Sequence, residues 1–258
     1  MVKTILLVHG AWGTPECWAH FKSWFEAQGY TVVVPTWPYM DKPAEELRRN
    51  PDPRLGKQTI KGLVDHFEAQ VRALPTPPIL IGHSFGGLIV QMLLDRGLGA
   101  AGVAIDSAPP RGILPSMTAT RSALPILMAW RGWSRILSMS FGSFSRTFAN
   151  TLPTHEQQAA YDRHIVPAPG RIYFQAALGV GNAVNFKNPQ RAPLLLIAGQ
   201  EDRTCTVSMA RAMLRKHRQA PSRTDLIEFP ARSHWIIAEP GWEEVAEKTL
   251  AWVKIHSR

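Results

Sequence analysis

The sequence predicts an α/β protein: a mostly parallel, doubly wound sheet with a mainly helical insertion between two of its strands. Three observations lead there. Short, β-branched apolar runs alternate with helical stripes along most of the chain. Those runs lack the polar alternation of a half-solvated strand, so they suit a sheet covered on both faces. The rhythm stops over residues 107–190, which hold no good parallel-strand candidate.

The elements follow in order. Thr4-Ile5-Leu6-Leu7-Val8 is a buried strand ended by His9-Gly10. Thr14 can cap a helix that Pro15 opens; Trp18, Phe21 and Phe25 give its apolar face and Gly29 closes it. Tyr30 to Val34 is the second strand, and 41–56, with three prolines, reads as an irregular loop. Ile60, Leu63, Val64, Phe67, Val71 and Leu74 form a helical stripe that stops at Pro75. Pro78 to Gly82 is a third strand, Leu88 to Arg96 a helix, and Gly102 to Asp106 a fourth strand. After the insertion come a strand at Leu194 to Ala198 and a helix near Val207 to Arg218. A strand at Asp225 to Phe229 and a helix after Pro240 complete the chain. The expected division is a core of 1–106 and 191–258 with a helical lid or cap at 107–190.

Composition narrows the function classes. The chain has 258 residues, 45% of them hydrophobic and 19% charged, which allows a real core and excludes a disordered or coiled-coil protein. Two cysteines, Cys17 and Cys205, exclude a disulfide scaffold and a Cys-rich zinc site, and they favour a reducing, cytoplasmic setting. Neither has metal-ligand spacing, and no cofactor or metal is expected. The first strand is too short for a secretory h-region, and no apolar run reaches the roughly 18 residues of a membrane span. The net charge of +9 is the one unusual number.

Gly82-His83-Ser84-Phe85-Gly86 matches G-x-S-x-G between a strand and a helix. That context makes Ser84 the candidate nucleophile, raised on a sharp turn over a helix N-terminus that favours negative charge. A serine hydroxyl needs a base, which follows the acid in this architecture. Of nine histidines, only His234 lies in a loop after the last strand and before the last helix. His20, His66, His217 and His256 lie on helix faces and are expected to be solvated, and His83 is expected to point away from Ser84. The acid that orients the base is assigned to Asp202, in the loop after the Leu194 strand. Its neighbour Glu201 and the strand-end Asp106 compete, and Asp106 remains a candidate supporting acid. The tetrahedral oxyanion needs backbone donors. Phe85 N–H is one; Ala11 in His9-Gly10-Ala11-Trp12-Gly13 is the other, with Trp12 as an alternative donor or pocket wall.

Together these residues resemble the α/β-hydrolase superfamily over nearly the whole chain. The segments that carry the likeness are His9-Gly10-Ala11-Trp12, Gly82 to Gly87, Gly199-Gln200-Glu201-Asp202 and Ser233-His234-Trp235. Small cap-bearing serine hydrolases are the nearest type, among them plant methyl-ester hydrolases and hydroxynitrile lyases, which also open with a strand and His-Gly-Ala. Two features depart from the pattern. Ser233 stands where a glycine often precedes the histidine, and there is no room for the usual hairpin before the first strand. Ser84 argues against the haloalkane dehalogenases, which carry Asp there. The resemblance implies esterase or lipase-like cleavage of a carboxylic ester with an apolar portion. Lactone, C–C, acyl-transfer or lyase chemistry on the same triad, or a non-catalytic ligand receptor, are the alternatives.

The charge has an address. Residues 107–190 hold eight basic and two acidic side chains, so six of the nine net charges lie there. Aromatic and methionine residues are interleaved with them, as suits a deformable pocket roof. No nucleic-acid reader motif accompanies the charge, so nucleic acid is not an expected partner. A cationic lid that steers anionic or polar-headed esters is the expectation. Leu124 to Phe148 is basic and apolar enough for transient membrane-surface contact, but without a clean polar stripe this is the weaker reading. The oligomeric state is not legible.

Overall fold

The computed structural model describes residues 2–257. Strand β1 (Thr4–Val8) leads to a one-turn 3-10 helix, where the Thr14 hydroxyl accepts the Glu16 N–H and Pro15 occupies the first turn. Helix α1 (Ala19–Ala27) follows and ends at Gly29, whose φ of 82° an L side chain adopts at a cost. Then come β2 (Thr31–Val33), α2 (Ala44–Arg49), α3 (Ile60–Arg72), β3 (Ile79–His83), α4 (Phe85–Asp95) and β4 (Ala101–Ile105). Between β4 and the next sheet strand lie α5 (Met117–Leu127), β5 (Ile136–Leu137), α6 (Phe141–Thr147), α7 (Thr154–His164), β6 (Ala168–Pro169) and α8 (Gly170–Leu178). The two-residue strands β5 and β6 pair only with each other, antiparallel. The chain returns to the sheet with β7 (Leu194–Gly199), α9 (Val207–His217), β8 (Thr224–Phe229) and α10 (Trp242–His256).

The main sheet has six strands in the order β2-β1-β3-β4-β7-β8, and every pairing is parallel. Every residue of β3, β4 and β7 is buried, as the unbroken apolar runs require of strands covered on both faces. The edge strands β2 and β8 are less buried. From β1 the chain moves outward to β2 and then crosses back to β3 on the other side. The carboxyl ends of β1 and β3 therefore flank the point where strand order reverses, the place where open α/β sheets bind ligands. His9–Gly13 leaves β1 there, and Ser84 leaves β3 there.

Two local expectations change. The 41–56 segment is not irregular throughout, because α2 and a 3-10 turn at Pro53–Lys57 form within it. Glu45 and Glu46 in the first turn of α2 and Arg48 and Arg49 in the last complement the helix dipole, while Leu47 is buried. Short dipole-matched helices of this kind show no long apolar period. His217 is not solvated but fully buried beneath α4, bonding Gln91 Oε1 at 2.9 Å. Gln91 Nε2 in turn donates to Ser107 Oγ at 2.8 Å, so a polar chain joins α9, α4 and the end of β4.

Helix α4 lies so close to the sheet that a Cβ on Gly86 would sit 2.1 Å from the Val8 carbonyl oxygen. Gly86→Ala must displace backbone and should cost more than the 1–3 kcal/mol typical of overpacked cores. Gly97→Ala, with φ 74° and open space around it, should cost only about 1–2 kcal/mol. Urea denaturation of the two variants checks this ranking. Burial lowers the His217 pKa to about 3, while the unfolded chain titrates near 6.5. The unfolded state thus binds the extra proton, and this contribution to stability is lost as pH falls from about 6.5 toward 3. Stability should therefore fall more steeply with acidification in wild type than in His217→Gln, by up to about 1.4 kcal/mol per pH unit. Equal slopes would count against a neutral buried His217.

Candidate active site

Ser84 occupies the turn between β3 and α4 with φ 56° and ψ −123°. Few non-glycine residues adopt this conformation, and the surroundings enforce it. Ser84 N–H donates to the Ile105 carbonyl at 3.0 Å, while its own carbonyl accepts from Gly87 and Ala108 at 2.9 and 3.0 Å. The side chain faces a cavity of about 780 Å³. Gly10, in the loop after β1, presses against it: a Cβ there would lie 2.7 Å from Ser84 Cβ.

The structure brings Asp202 and His234 together. His234 Nδ1 and Asp202 Oδ2 are 2.7 Å apart, and both side chains are fully buried. The other carboxylate oxygen of Asp202 accepts the N–H groups of Thr204 and Cys205 at 2.6 and 2.9 Å, which fixes its orientation. With Nδ1 bonded to the carboxylate, Nε2 is the nitrogen left to take a proton. It is buried and bonds no partner among the described residues, so the Ser84–His234 hydrogen bond is not made in this structure.

Asp106 is close by but differently placed. Its Oδ1 accepts the Gly199 N–H at 2.8 Å, and Oδ2 is buried without a partner among the described residues. Burial, reinforced by the Asp202 carboxylate, raises its pKa well above the usual carboxylate range. Glu201, the other competitor, is exposed. Burial also raises both cysteine thiols, so neither Cys17 nor Cys205 is a rival thiolate nucleophile.

In the loop after β1, His9 Nε2 accepts the Trp37 N–H at 3.3 Å, leaving Nδ1 to donate to the Gly10 carbonyl at 2.9 Å. That tautomer needs a neutral ring, and burial lowers the His9 pKa to about 4. The Ala11 and Phe85 N–H groups make no hydrogen bond among the described residues and are available as donors. Trp12, at φ 68°, lines the cavity, and its carbonyl accepts the Val166 N–H at 2.9 Å. Its ring and that of Phe85 pack on Tyr173 of α8, with centroids 5.5 and 5.0 Å apart.

Most of the cavity wall comes from the segment between β4 and β7, with Arg111 as the single charged residue in the lining. Two candidate metal-donor sets, His83/Asp106/His234 and Asp202/Cys205/His234, have their atoms within 4.8 Å of one another. Their hydrogen bonds tie most of these groups to each other or to backbone.

Sequence reasoning missed two supports of the base. His83 does not point away from the site: its Nε2 donates to the His234 carbonyl at 2.8 Å, and the rings lie 4.6 Å apart. Its place inside the serine motif was the available signal. Glu239 had none. Its carboxylate accepts from Ser233 N–H at 2.9 Å, Ser233 Oγ at 2.8 Å and Thr151 Oγ1 at 2.5 Å. Ser233, in place of the common glycine, is thus one end of a clamp on the His234 loop.

Comparison with curated proteins returned no match. Among solved structures the chain is similar to tomato methylketone synthase I complexed with 2-tridecanone, at 14% identity, TM-score 0.73 and 99% coverage of both chains. It is also similar to a methylesterase from Arabidopsis, at 15% identity and TM-score 0.71, covering 98% of this chain and 100% of that one. A pyrethroid hydrolase from Sphingobium faniae aligns at 17% identity and TM-score 0.71, with 98% of both chains covered. At these identities the likeness concerns the fold. The model of the alpha/beta hydrolase family matches residues 5–248, in agreement with the all-parallel sheet and the strand–Ser84–helix turn, and the chain belongs to that family.

Proposed function

We propose that the protein is a serine esterase that cleaves carboxylic esters with a large apolar portion. The observation that carries this is the Asp202–His234 pair beside a strained Ser84 that opens onto a wide, largely apolar cavity. Ser84 Oγ attacks the ester carbonyl while His234 Nε2 takes its proton. The carbonyl oxygen becomes an oxyanion, held by the Ala11 N–H from the loop after β1 and the Phe85 N–H at the N-terminus of α4. The C–O bond then breaks, and His234 returns the proton to the leaving alcohol. The same base next deprotonates water, which releases the acid from Ser84. Asp202 holds the imidazole in the tautomer these steps need and stabilises it when charged. The 107–190 segment serves as the cap over this site. Its cavity wall offers apolar side chains and hydroxyls with a single positive charge, which suits a neutral or anionic ester.

Ser84→Ala should abolish hydrolysis of short p-nitrophenyl esters, and a fluorophosphonate probe should label wild type on Ser84 alone. Retained turnover, or no adduct, would count against the assignment. Asp202→Asn should lower kcat by about 10³–10⁴, as expected when the imidazole loses its orienting charge. Asp106→Asn should cost under about tenfold, because the amide reproduces the neutral carboxyl that burial favours and still accepts the Gly199 N–H. Steady-state kinetics of both variants decide between the two acids, and the reverse ranking would make Asp106 the orienting group.

A further inference from the structure

The outer face of the cap differs from the rest of the protein surface in two ways. The first is apolar exposure. Leu114, Met128, Trp130, Trp133 and Leu178 are 85, 75, 80, 54 and 76% exposed. Every other tryptophan in the chain is buried or half-buried. These five come from the approach to α5, the turn after it and the end of α8, and α5 and α8 pack on each other. A single-helix stripe was therefore absent from the sequence although the folded surface is apolar. Leu114 and Leu178 also line the cavity, so this face runs into the mouth of the pocket that holds Ser84.

The second difference is unpaired charge. Residues 107–155 contain five arginines and no lysine, aspartate or glutamate. Elsewhere half of the described arginines are paired, seven of fourteen: Arg49, Arg54, Arg72, Arg96, Arg163, Arg211 and Arg223 each contact a carboxylate. Among the described residues, none of the five in 107–155 does. Arg121, Arg131 and Arg135 are exposed on the same segments as the apolar side chains.

We propose that this face docks on an anionic lipid surface, with Trp130, Trp133 and Met128 entering the headgroup boundary and Arg121, Arg131 and Arg135 contacting lipid phosphates. Exposed tryptophan and methionine beside arginine is the composition of an interfacial segment. The contact is peripheral, since no helix among the described residues is long and apolar enough to cross a membrane. A second copy of the chain is the poorer occupant. A two-fold dimer would set the patch against itself, arginines facing arginines with no carboxylate on this segment to relieve them. On a bilayer, apolar esters would pass from lipid into the cavity mouth without crossing water.

The test uses full-length Ser84→Ala, so binding is measured without turnover and stands or falls apart from the esterase reading. Flotation with phosphatidylcholine vesicles carrying 30 mol% phosphatidylglycerol should show binding at low salt, accompanied by a blue shift of tryptophan emission. Partitioning should drop at least tenfold in Trp130→Ala/Trp133→Ala. In Arg121→Gln/Arg131→Gln/Arg135→Gln it should drop by up to about 100-fold, and on pure phosphatidylcholine by a similar factor. Both multiple variants lie outside the cavity lining and, with Ser84 restored, should hydrolyse a short soluble ester at the wild-type rate, which controls for folding. No binding to the anionic vesicles would overturn the proposal. So would unchanged binding of the tryptophan variant, which would leave charge alone as the cause. A dimer in sedimentation that the tryptophan variant dissolves would assign the face to a second copy instead.

Discussion

Ser84 is held where an L residue rarely sits, at φ 56° and ψ −123°, and the rest of the architecture is arranged to keep it there. The turn is bonded to the end of β4 through the Ile105 carbonyl and the Ala108 N–H. It is pressed from the β1 side by Gly10, and α4 sits directly on the Val8 carbonyl at Gly86. The same crowding sets the loop that carries Ala11 against Ser84. The parallel sheet order matters because only adjacent β1, β3 and β4 could supply these three contacts at one point.

Around that point the site separates two buried carboxyl groups by their partners. Asp202 has two backbone N–H donors and the His234 imidazole, so both of its oxygens are engaged. Asp106 has one N–H and an oxygen unpartnered among the described residues, and the nearby charge of Asp202 adds to the effect of burial in keeping its proton on. Position at a strand end is similar for both residues, so the difference arises from loop backbone geometry. His83 is likewise kept neutral, with its pKa lowered well below the ordinary value by burial and by His234. A neutral His83 ring adds no positive charge beside the His234 imidazole.

The parts legible in the sequence were those written in local patterns. Five-residue apolar runs marked the central strands because strands buried on both faces need no polar alternation. Gly82 to Gly86 marked the serine turn because close backbone approach leaves room only for glycine. Asp202 and His234 were readable from their order in the chain, which reflects strand order in the sheet. The supports were not readable. Glu239 reaches Ser233 six residues back and Thr151 far away in the chain, and no spacing rule announces such a three-way contact. His217 looked like one more polar residue on the basic end of a helix, yet α4 carries a buried Gln91 above it that turns the position inward. The apolar outer face of the cap escaped a period test because it is assembled from separate segments.

The stretch from Arg146 to Thr151 links cap and chemistry more closely than a lid resting over a pocket would. The Arg146 and Thr147 carbonyls accept from Arg203 and Thr204, and Asn150 Nδ2 donates to the Glu201 carbonyl, all in the Asp202 loop. The Phe148 carbonyl accepts the Trp235 N–H, and Thr151 bonds Glu239, both in the His234 loop. One short segment thus grips the acid loop on one side and the base loop on the other. The Phe148 ring meanwhile lies 4.5 Å from the His234 ring and lines the cavity that His234 itself does not reach. A shift of this segment would therefore be felt at once in both loops that hold the Asp202–His234 pair. Thr147 and Phe148 also line the cavity, so the segment that grips both loops is part of the wall facing Ser84.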